Sequence, residues 1–136
     1  MKIDNTDIWE SRVRDYEVDF QGIVNNANYF HYLDEARSLF LYRRGINIKE
    51  YADNGLNLIL ISTHIIYKKA LKFGDTFIVK STFSQCSKLR FQFEQKIELL
   101  SANNTIECVA ANSFVCAIKK GKPTYLKELS DLFIKQ

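Results

Sequence analysis

The chain has 136 residues and a formal net charge of +3. That length suits one domain with a substantial core, which ten Phe and seven Tyr can fill, so we expect a single domain over residues 1–136. The charge is too small to argue by itself for a nucleic acid as partner, because nucleic-acid binders concentrate positive charge on one face, and we expect no such partner. No apolar run resembles a signal peptide or approaches about 18 residues, which predicts a cytoplasmic protein without a membrane span.

Cysteine and histidine spacing gives no sign of a metal site. Cys86, Cys108 and Cys116 are odd in number and lack C-x-x-C spacing, which favours reduced core thiols over disulfides or zinc ligands. His31 and His64 have no ligand spacing either, so we read both as structural or surface residues. We therefore expect no bound metal.

The first third of the chain predicts a strand followed by a long helix. Apolar and charged residues alternate from Ile8 to Glu17, and a period of two is typical of a strand with one solvent-exposed face. Asn25 or Asn26 can cap a helix that runs to Arg44, where Gly45 follows as a stop signal. The predicted buried face of this helix comprises Ala27, Phe30, Leu33, Ala36, Arg37, Phe40 and Leu41.

The remainder predicts one short helix, from Asn47 to Asn54, and then mostly strands. The predicted strands are Leu56–Lys69, Thr76–Ser84, Leu89–Leu100 and Thr105–Lys119, and Leu126–Ile134 is a possible short amphipathic helix. The predicted inward residues are Phe91, Phe93, Gln95, Ile97 and Leu99 in one strand and Ile106, Cys108, Ala110, Phe114 and Ile118 in the next. One strand, one long helix and about four further strands imply an α+β fold, an antiparallel sheet folded over a helix.

The segment between the first strand and the long helix has the composition of a reaction centre. Asp19 precedes the helix start, with Gly22 between them, and a helix start offers unpaired amide N–H groups and partial positive charge near Asn26. A carboxylate beside such amides can activate attack on an acyl group and stabilise the oxyanion that forms. Alternatively, Asp19 only caps a turn. Asn28 either bonds within its own helical turn or braces the loop that holds Asp19.

Other common catalytic motifs are absent from the sequence. There is no G-x-S-x-G elbow, P-loop or G-x-G-x-x-G fingerprint. The run from Asp19 to Phe30, continued by Tyr32–Arg37, resembles the hotdog-fold thioesterases of the branch that contains 4-hydroxybenzoyl-CoA thioesterase and the acyl-CoA thioesterases linked to the Tol-Pal system. Tyr67–Asp75 is similar to the family's strand and turn ending in Gly-Asp, with Ala70 where proline is frequent.

This resemblance implies a hotdog fold, in which a sheet of about five strands wraps one long central helix. It also implies an acyl-CoA thioesterase for fatty-acyl or aromatic substrates, needing no cofactor because coenzyme A belongs to the substrate. Asp19 would be the nucleophile or general base, and the first helical turn at Asn26 would be the oxyanion hole. The resemblance further implies a homodimer or homotetramer with active sites at the subunit interface. Two positions depart from relatives that carry histidine there, namely Ile23 and Asn26.

The resemblance also suggests where substrate would bind. Gly22 and Asn28 would shape the site, and Lys88 and Arg90, beside Ser87, would meet the coenzyme phosphates, with Lys68 and Lys69 as the next choice. Three alternatives stay open: an acyl-carrier-protein thioesterase, a hotdog dehydratase or hydratase, and a non-catalytic acyl-binding protein.

Overall fold

In a computed structural model, which describes residues 5–133, an antiparallel sheet curls around one long helix. The sheet order is β1-β3-β4-β5-β2, with β6 added to β5. The strands are β1 Thr6–Arg12, β2 Leu56–Tyr67, β3 Thr76–Gln85, β4 Arg90–Ser101, β5 Asn104–Lys119 and β6 Lys122–Thr124, and the helices are α1 Asn26–Arg43, α2 Ile48–Asp53 and α3 Lys127–Ser130. The α+β hotdog prediction is confirmed, with β6 as a sixth, very short strand from the predicted turn. The predicted tail helix is α3 followed by a 3-10 turn at Asp131–Phe133, and Ile134 lies outside the described residues.

The long helix begins and ends where turn chemistry predicts. The Asn25 side chain accepts a 2.9 Å hydrogen bond from the Ala27 N–H, and Gly45 follows the helix with a φ of +83°, which glycine adopts without strain. The predicted buried face is wrong at its start, because Ala27 and Phe30 are exposed. Tyr29 and Tyr32 are buried instead, since both phenols find hydrogen-bond partners inside the protein.

The first strand is shorter than predicted. β1 ends at Arg12, and a 3-10 turn at Asp15–Glu17 follows it. The Glu17 carboxylate accepts a 2.8 Å hydrogen bond from the Arg14 N–H, which supports a turn rather than an extended chain. This turn points the chain back toward the start of α1.

Alternation in β4 is confirmed, whereas the predicted inward face of β5 is wrong over most of its length. A β-bulge at Cys108 shifts the pairing from Glu98–Glu107 to Ile97–Val109, so the residues beyond it change face. Cys108 and Val109 are both buried, and the buried residues that follow are Ala111, Ser113, Val115, Cys116 and Ala117. The prediction of core thiols holds for Cys108 and Cys116 but not for Cys86, which is exposed.

Two apolar clusters fill the space between α1 and the sheet. One surrounds the N-terminal half of the helix and includes Tyr29, Tyr32 and Leu33, while the other surrounds Phe40 and Leu41. No helix in residues 5–133 is long and apolar enough to cross a membrane.

Candidate active site

Asp19 lies in a tight hairpin that leads into α1. Val18 and Val24 form an isolated β-bridge, and the Asp19 N–H donates a 2.9 Å hydrogen bond to the Ile23 carbonyl. Gly22 closes the turn with a φ of +82°, and its N–H donates to the Asp19 carbonyl at 3.0 Å. The hairpin therefore holds Asp19 shortly before the helix start.

Only one of the two Asp19 carboxylate oxygens is hydrogen-bonded within its own turn. Its Oδ1 accepts a 2.8 Å hydrogen bond from the Gln21 N–H, while Oδ2 accepts none from residues 5–133. The turn-capping interpretation of Asp19 is thus correct as far as one oxygen is concerned. It leaves the second oxygen available for chemistry, so the two interpretations are compatible.

The start of α1 leaves one amide open. The Ala27 N–H is capped by the Asn25 side chain, and the Asn28 N–H donates to the Asn25 carbonyl at 2.9 Å. The Asn26 N–H has no hydrogen-bond acceptor among the described residues. Helix dipole and free N–H together make this point attractive to a negatively charged oxygen.

Asn28 braces the hairpin, which decides between its two predicted roles. Its side-chain amide donates a 2.7 Å hydrogen bond to the Glu17 carbonyl, and the Asn25 N–H donates to the same oxygen at 3.1 Å. The first turn of α1 is therefore tied directly to the segment that precedes Asp19.

Glu17 is a buried carboxylate that sequence reasoning missed. Only 7% of the residue is exposed, and its Oε1 accepts hydrogen bonds from the Arg14 N–H and from the Tyr32 hydroxyl at 2.9 Å. Burial, and then the Glu17 carboxylate, raise the pKa of Tyr32. The signal available in the sequence was a Glu three residues after Arg14, but strand-like alternation masked it.

A cleft of about 250 Å³ opens at the start of α1 and brings three predicted residues together. Asn26 lines it with Lys68 and Lys69, and Tyr29 forms part of the wall. Burial raises the pKa of Tyr29, whose hydroxyl accepts a 3.0 Å hydrogen bond from the Leu71 N–H. Lys68 is ion-paired with Glu107, whereas Lys69 makes no ion pair within residues 5–133.

Ser87, Lys88 and Arg90 lie elsewhere in the protomer. Ser87 and Lys88 lie in the β3–β4 turn and Arg90 begins β4, where the Arg90 N–H donates to the Ser87 hydroxyl at 3.2 Å. The ten residues of β3 separate this turn from the end of the sheet near Asp75, a span of roughly 30 Å. Within one protomer these three residues do not join Asp19 and Asn26.

The part of the chain from residue 5 to residue 133 contains no cluster of three or more His, Cys, Asp or Glu side chains that could hold a metal ion. The groups that the hairpin and the neighbouring cleft offer are the Asp19 carboxylate, the Asn26 amide and the lysines Lys68 and Lys69.

Residues 13–129 match the thioesterase-like superfamily, and the chain belongs to this family. The resemblance read from Asp19–Arg37 is therefore confirmed, and the protein is a thioester hydrolase.

Particular relatives agree with this assignment. A candidate esterase from Aquifex aeolicus is 36% identical over 115 residues, which are 85% of this chain and 87% of the relative. A chloroplastic acyl-acyl carrier protein thioesterase from Arabidopsis thaliana is 40% identical over 88 residues, which are 65% of this chain and only 46% of that protein. The crystal structure of a 1,4-dihydroxy-2-naphthoyl-CoA thioesterase from Synechocystis superposes with a TM-score of 0.87 at 21% identity, covering 93% of this chain and 94% of that one, and shares the fold.

Proposed function

We propose that the protein hydrolyses acyl-CoA thioesters, with fatty or aromatic acyl groups, to the free acid and coenzyme A. The observation that carries this proposal is the open Asn26 N–H at the start of α1, directly after the hairpin that holds the Asp19 carboxylate with one oxygen unbonded. An amide of this kind stabilises the charge that develops on the thioester oxygen in the transition state.

The reaction then needs only water as second substrate. The thioester carbonyl oxygen accepts a hydrogen bond from the Asn26 N–H, and Asp19 acts in one of two ways. As general base it takes a proton from water while the water oxygen attacks the carbonyl carbon, and the thiolate leaves and is protonated. As nucleophile it forms a mixed anhydride as the thiolate leaves, and water then hydrolyses that anhydride. No cofactor enters either proposed route.

We further propose that the active enzyme is a homodimer or homotetramer. β2 is an edge strand, and its exposed apolar residues are Ile59, Leu60, Ile61, Ile66 and Tyr67. An exposed apolar edge strand favours pairing with a second strand. Pairing of β2 with β2 of a second copy would join the two sheets and cover the groove beside α1. Ser87, Lys88 and Arg90 would then contribute to substrate binding from a neighbouring subunit.

A carrier-protein substrate is the second candidate, favoured by the Arabidopsis relative. Both substrates present a phosphate on a pantetheine arm, so Lys68 and Lys69 at the mouth of the cleft suit either one. Membership of the thioesterase-like superfamily favours hydrolysis over the dehydratase, hydratase and binding-only alternatives. The cytoplasmic location stays a prediction.

The decisive experiment measures thiol release from a panel of acyl-CoA and acyl-carrier-protein thioesters. We expect the parent to release thiol and Asp19→Asn to lower kcat about 100- to 10,000-fold, the contribution of a positioned acid or base. The Asn side chain keeps an oxygen for the Gln21 N–H, so the hairpin should persist. Asp15→Asn, at an exposed carboxylate in the same loop, serves as matched control. Equal turnover by Asp19→Asn and the parent would refute the mechanism.

A further inference from the structure

A second cleft, of about 170 Å³, lies between α1, α2 and β2. Its walls are mostly apolar and include Leu41, Ile48, Leu58, Leu60, Phe93 and Val115. The polar lining comes from α1 and consists of Arg37, Ser38 and Asp34, of which Asp34 is ion-paired with Arg37. The only ion pair that Arg37 makes within residues 5–133 is with the exposed Asp34 carboxylate, so a second anion in the cleft would compensate a charge that is costly to bury unless it is well paired.

The contacts of Arg37 leave part of its hydrogen-bonding capacity unused. Its side chain is 11% exposed, and one terminal nitrogen donates to Gln95 Oε1 at 3.1 Å and lies 3.5 Å from the Ser113 hydroxyl. The other terminal nitrogen lies 3.5 Å from an Asp34 oxygen, and that carboxylate is 72% exposed and therefore solvated. A guanidinium has five N–H donors in a planar fork, so donors remain for a carboxylate guest.

Gln95 holds this arrangement in place. It is buried, and its side-chain nitrogen donates to the Leu33 carbonyl at 3.1 Å and to the Ser81 hydroxyl at 3.0 Å. The amide oxygen is thereby aimed at Arg37. A polar group fixed in this way restrains the guanidinium in the cleft rather than in solvent.

The cleft lies at a distance from Asn26 that one acyl chain can span. Arg37 follows Asn26 by three helical turns, about 16 Å along the axis of α1. Between the two positions, β2 presents the half-buried Thr63 and Ile65 beside the helix. An acyl chain lying between α1 and β2 would have its thioester at Asn26 and its far end at Arg37.

We propose that Arg37 is a specificity-determining residue that selects acyl groups ending in a carboxylate, so that the preferred substrates are half-thioesters of dicarboxylic acids. The inference rests on the proposed thioesterase function and names its substrate class. The fork of Arg37 receives the distal carboxylate at the end of the chain, and apolar walls hold the methylene groups between.

The test compares two CoA thioesters of equal chain length, one ending in a carboxylate and one in a methyl group. We expect the parent to favour the carboxylate by about 10- to 100-fold in kcat/KM, the range for a hydrogen bond to a charged group. Arg37→Met should abolish that preference while it retains hydrolysis of the methyl-ended substrate, and Arg37→Lys should retain part of it. Arg43→Met, at an exposed arginine on the same helix, is the matched control.

The outcomes separate this inference from the mechanism at Asp19. A parent that treats both substrates alike overturns the role of Arg37, and this holds whether or not any variant folds. An Arg37→Met variant that loses both activities equally, or that changes only the oligomeric state by light scattering, also overturns it. Failure of the mechanism has a different signature, since Asp19→Asn would then cleave both substrates at the rate of the parent.

Discussion

The side-chain amide of Asn28 donates a 2.7 Å hydrogen bond to the backbone carbonyl of Glu17. This bond joins the first turn of α1 to the segment that leads into the Asp19 hairpin. The Asn26 amide and the Asp19 carboxylate, the proposed oxyanion donor and the proposed acid or base, are thus positioned relative to each other partly through this side chain. Small errors in such positioning are costly, because catalysis depends on near-attack geometry.

Replacement of Asn28 should therefore harm turnover more than stability. We expect Asn28→Ala to lower the free energy of unfolding by about 0.5–1.5 kcal/mol, as for one lost hydrogen bond, and to lower kcat by about tenfold or more. Asn54→Ala is the matched control, because the Asn54 side chain also donates to a backbone carbonyl, that of Glu50 at 3.0 Å, but at the end of α2. Urea unfolding and thiol release measure both effects. Equal kcat for the two variants would argue against a bracing role.

Alkaline pH should destabilise the protein through its buried tyrosines. Burial raises the pKa of Tyr29 and Tyr32 in the folded state, whereas in the unfolded chain both titrate near 10. Their contribution to the free energy of unfolding is fully present below pH 10. It falls as the pH rises further, because the tyrosines of the unfolded chain then lose their protons before those of the folded protein. In this range each tyrosine should lower the free energy of unfolding by up to about 1.4 kcal/mol per pH unit.

Tyr32→Phe isolates one of these contributions. It removes a partner of the buried Glu17 carboxylate, so we expect a loss of about 1–3 kcal/mol at pH 7 together with a shallower decline above pH 10. Denaturant titrations at pH 8, 10.5 and 11 provide the comparison, and Tyr42→Phe, at an exposed tyrosine, is the control. If the free energy of unfolding of Tyr32→Phe fell above pH 10 as steeply as that of the parent, the raised pKa of Tyr32 would not be a source of the decline.

The proposed subunit interface can be tested at the two edges of the sheet. Ile61 lies at the bulge of the edge strand β2 and is 42% exposed, and Ile8 lies on the opposite edge strand β1 and is 54% exposed. A charge on an apolar interface edge prevents pairing. We expect Ile61→Asp to give monomers in light scattering and Ile8→Asp to leave the oligomer intact. Dissociation by Ile8→Asp alone would place the interface on the other edge.

Coenzyme recognition should depend on Lys69 and on salt. Lys69 lines the cleft at the start of α1 and makes no ion pair with residues 5–133, so it is available for a phosphate. We expect Lys69→Ala to raise KM for acyl-CoA about two- to fivefold at low salt, with a smaller difference at high salt. The effect is small because interactions between exposed charges are weak and are screened by salt. Lys49→Ala, at an exposed lysine of α2, should leave KM unchanged. A KM that is independent of both Lys69 and salt would exclude this contact.

Local sequence patterns were sufficient for the order of the main elements and for placing Asp19 in the segment just before α1. The caps of α1, the stop at Gly45 and the alternation in β4 are encoded within a few residues, because turn chemistry and side-chain period are local properties. The same holds for the short α2, which lies within the predicted range Asn47–Asn54 and is capped by the Asn47 side chain. The motif from Asp19 to Arg37 identified the family for the same reason.

Only the tertiary structure decided what depends on residues distant in the chain. The burial of Glu17 against Tyr32, the bulge at Cys108 and the link between Arg37 and Gln95 each join separate elements. Tertiary structure also placed Lys69, but not Lys88, beside Asn26. Sequence spacing carries no information on such pairs, because their free energies arise from desolvation and hydrogen bonding that exist only once the sheet has closed around the helix.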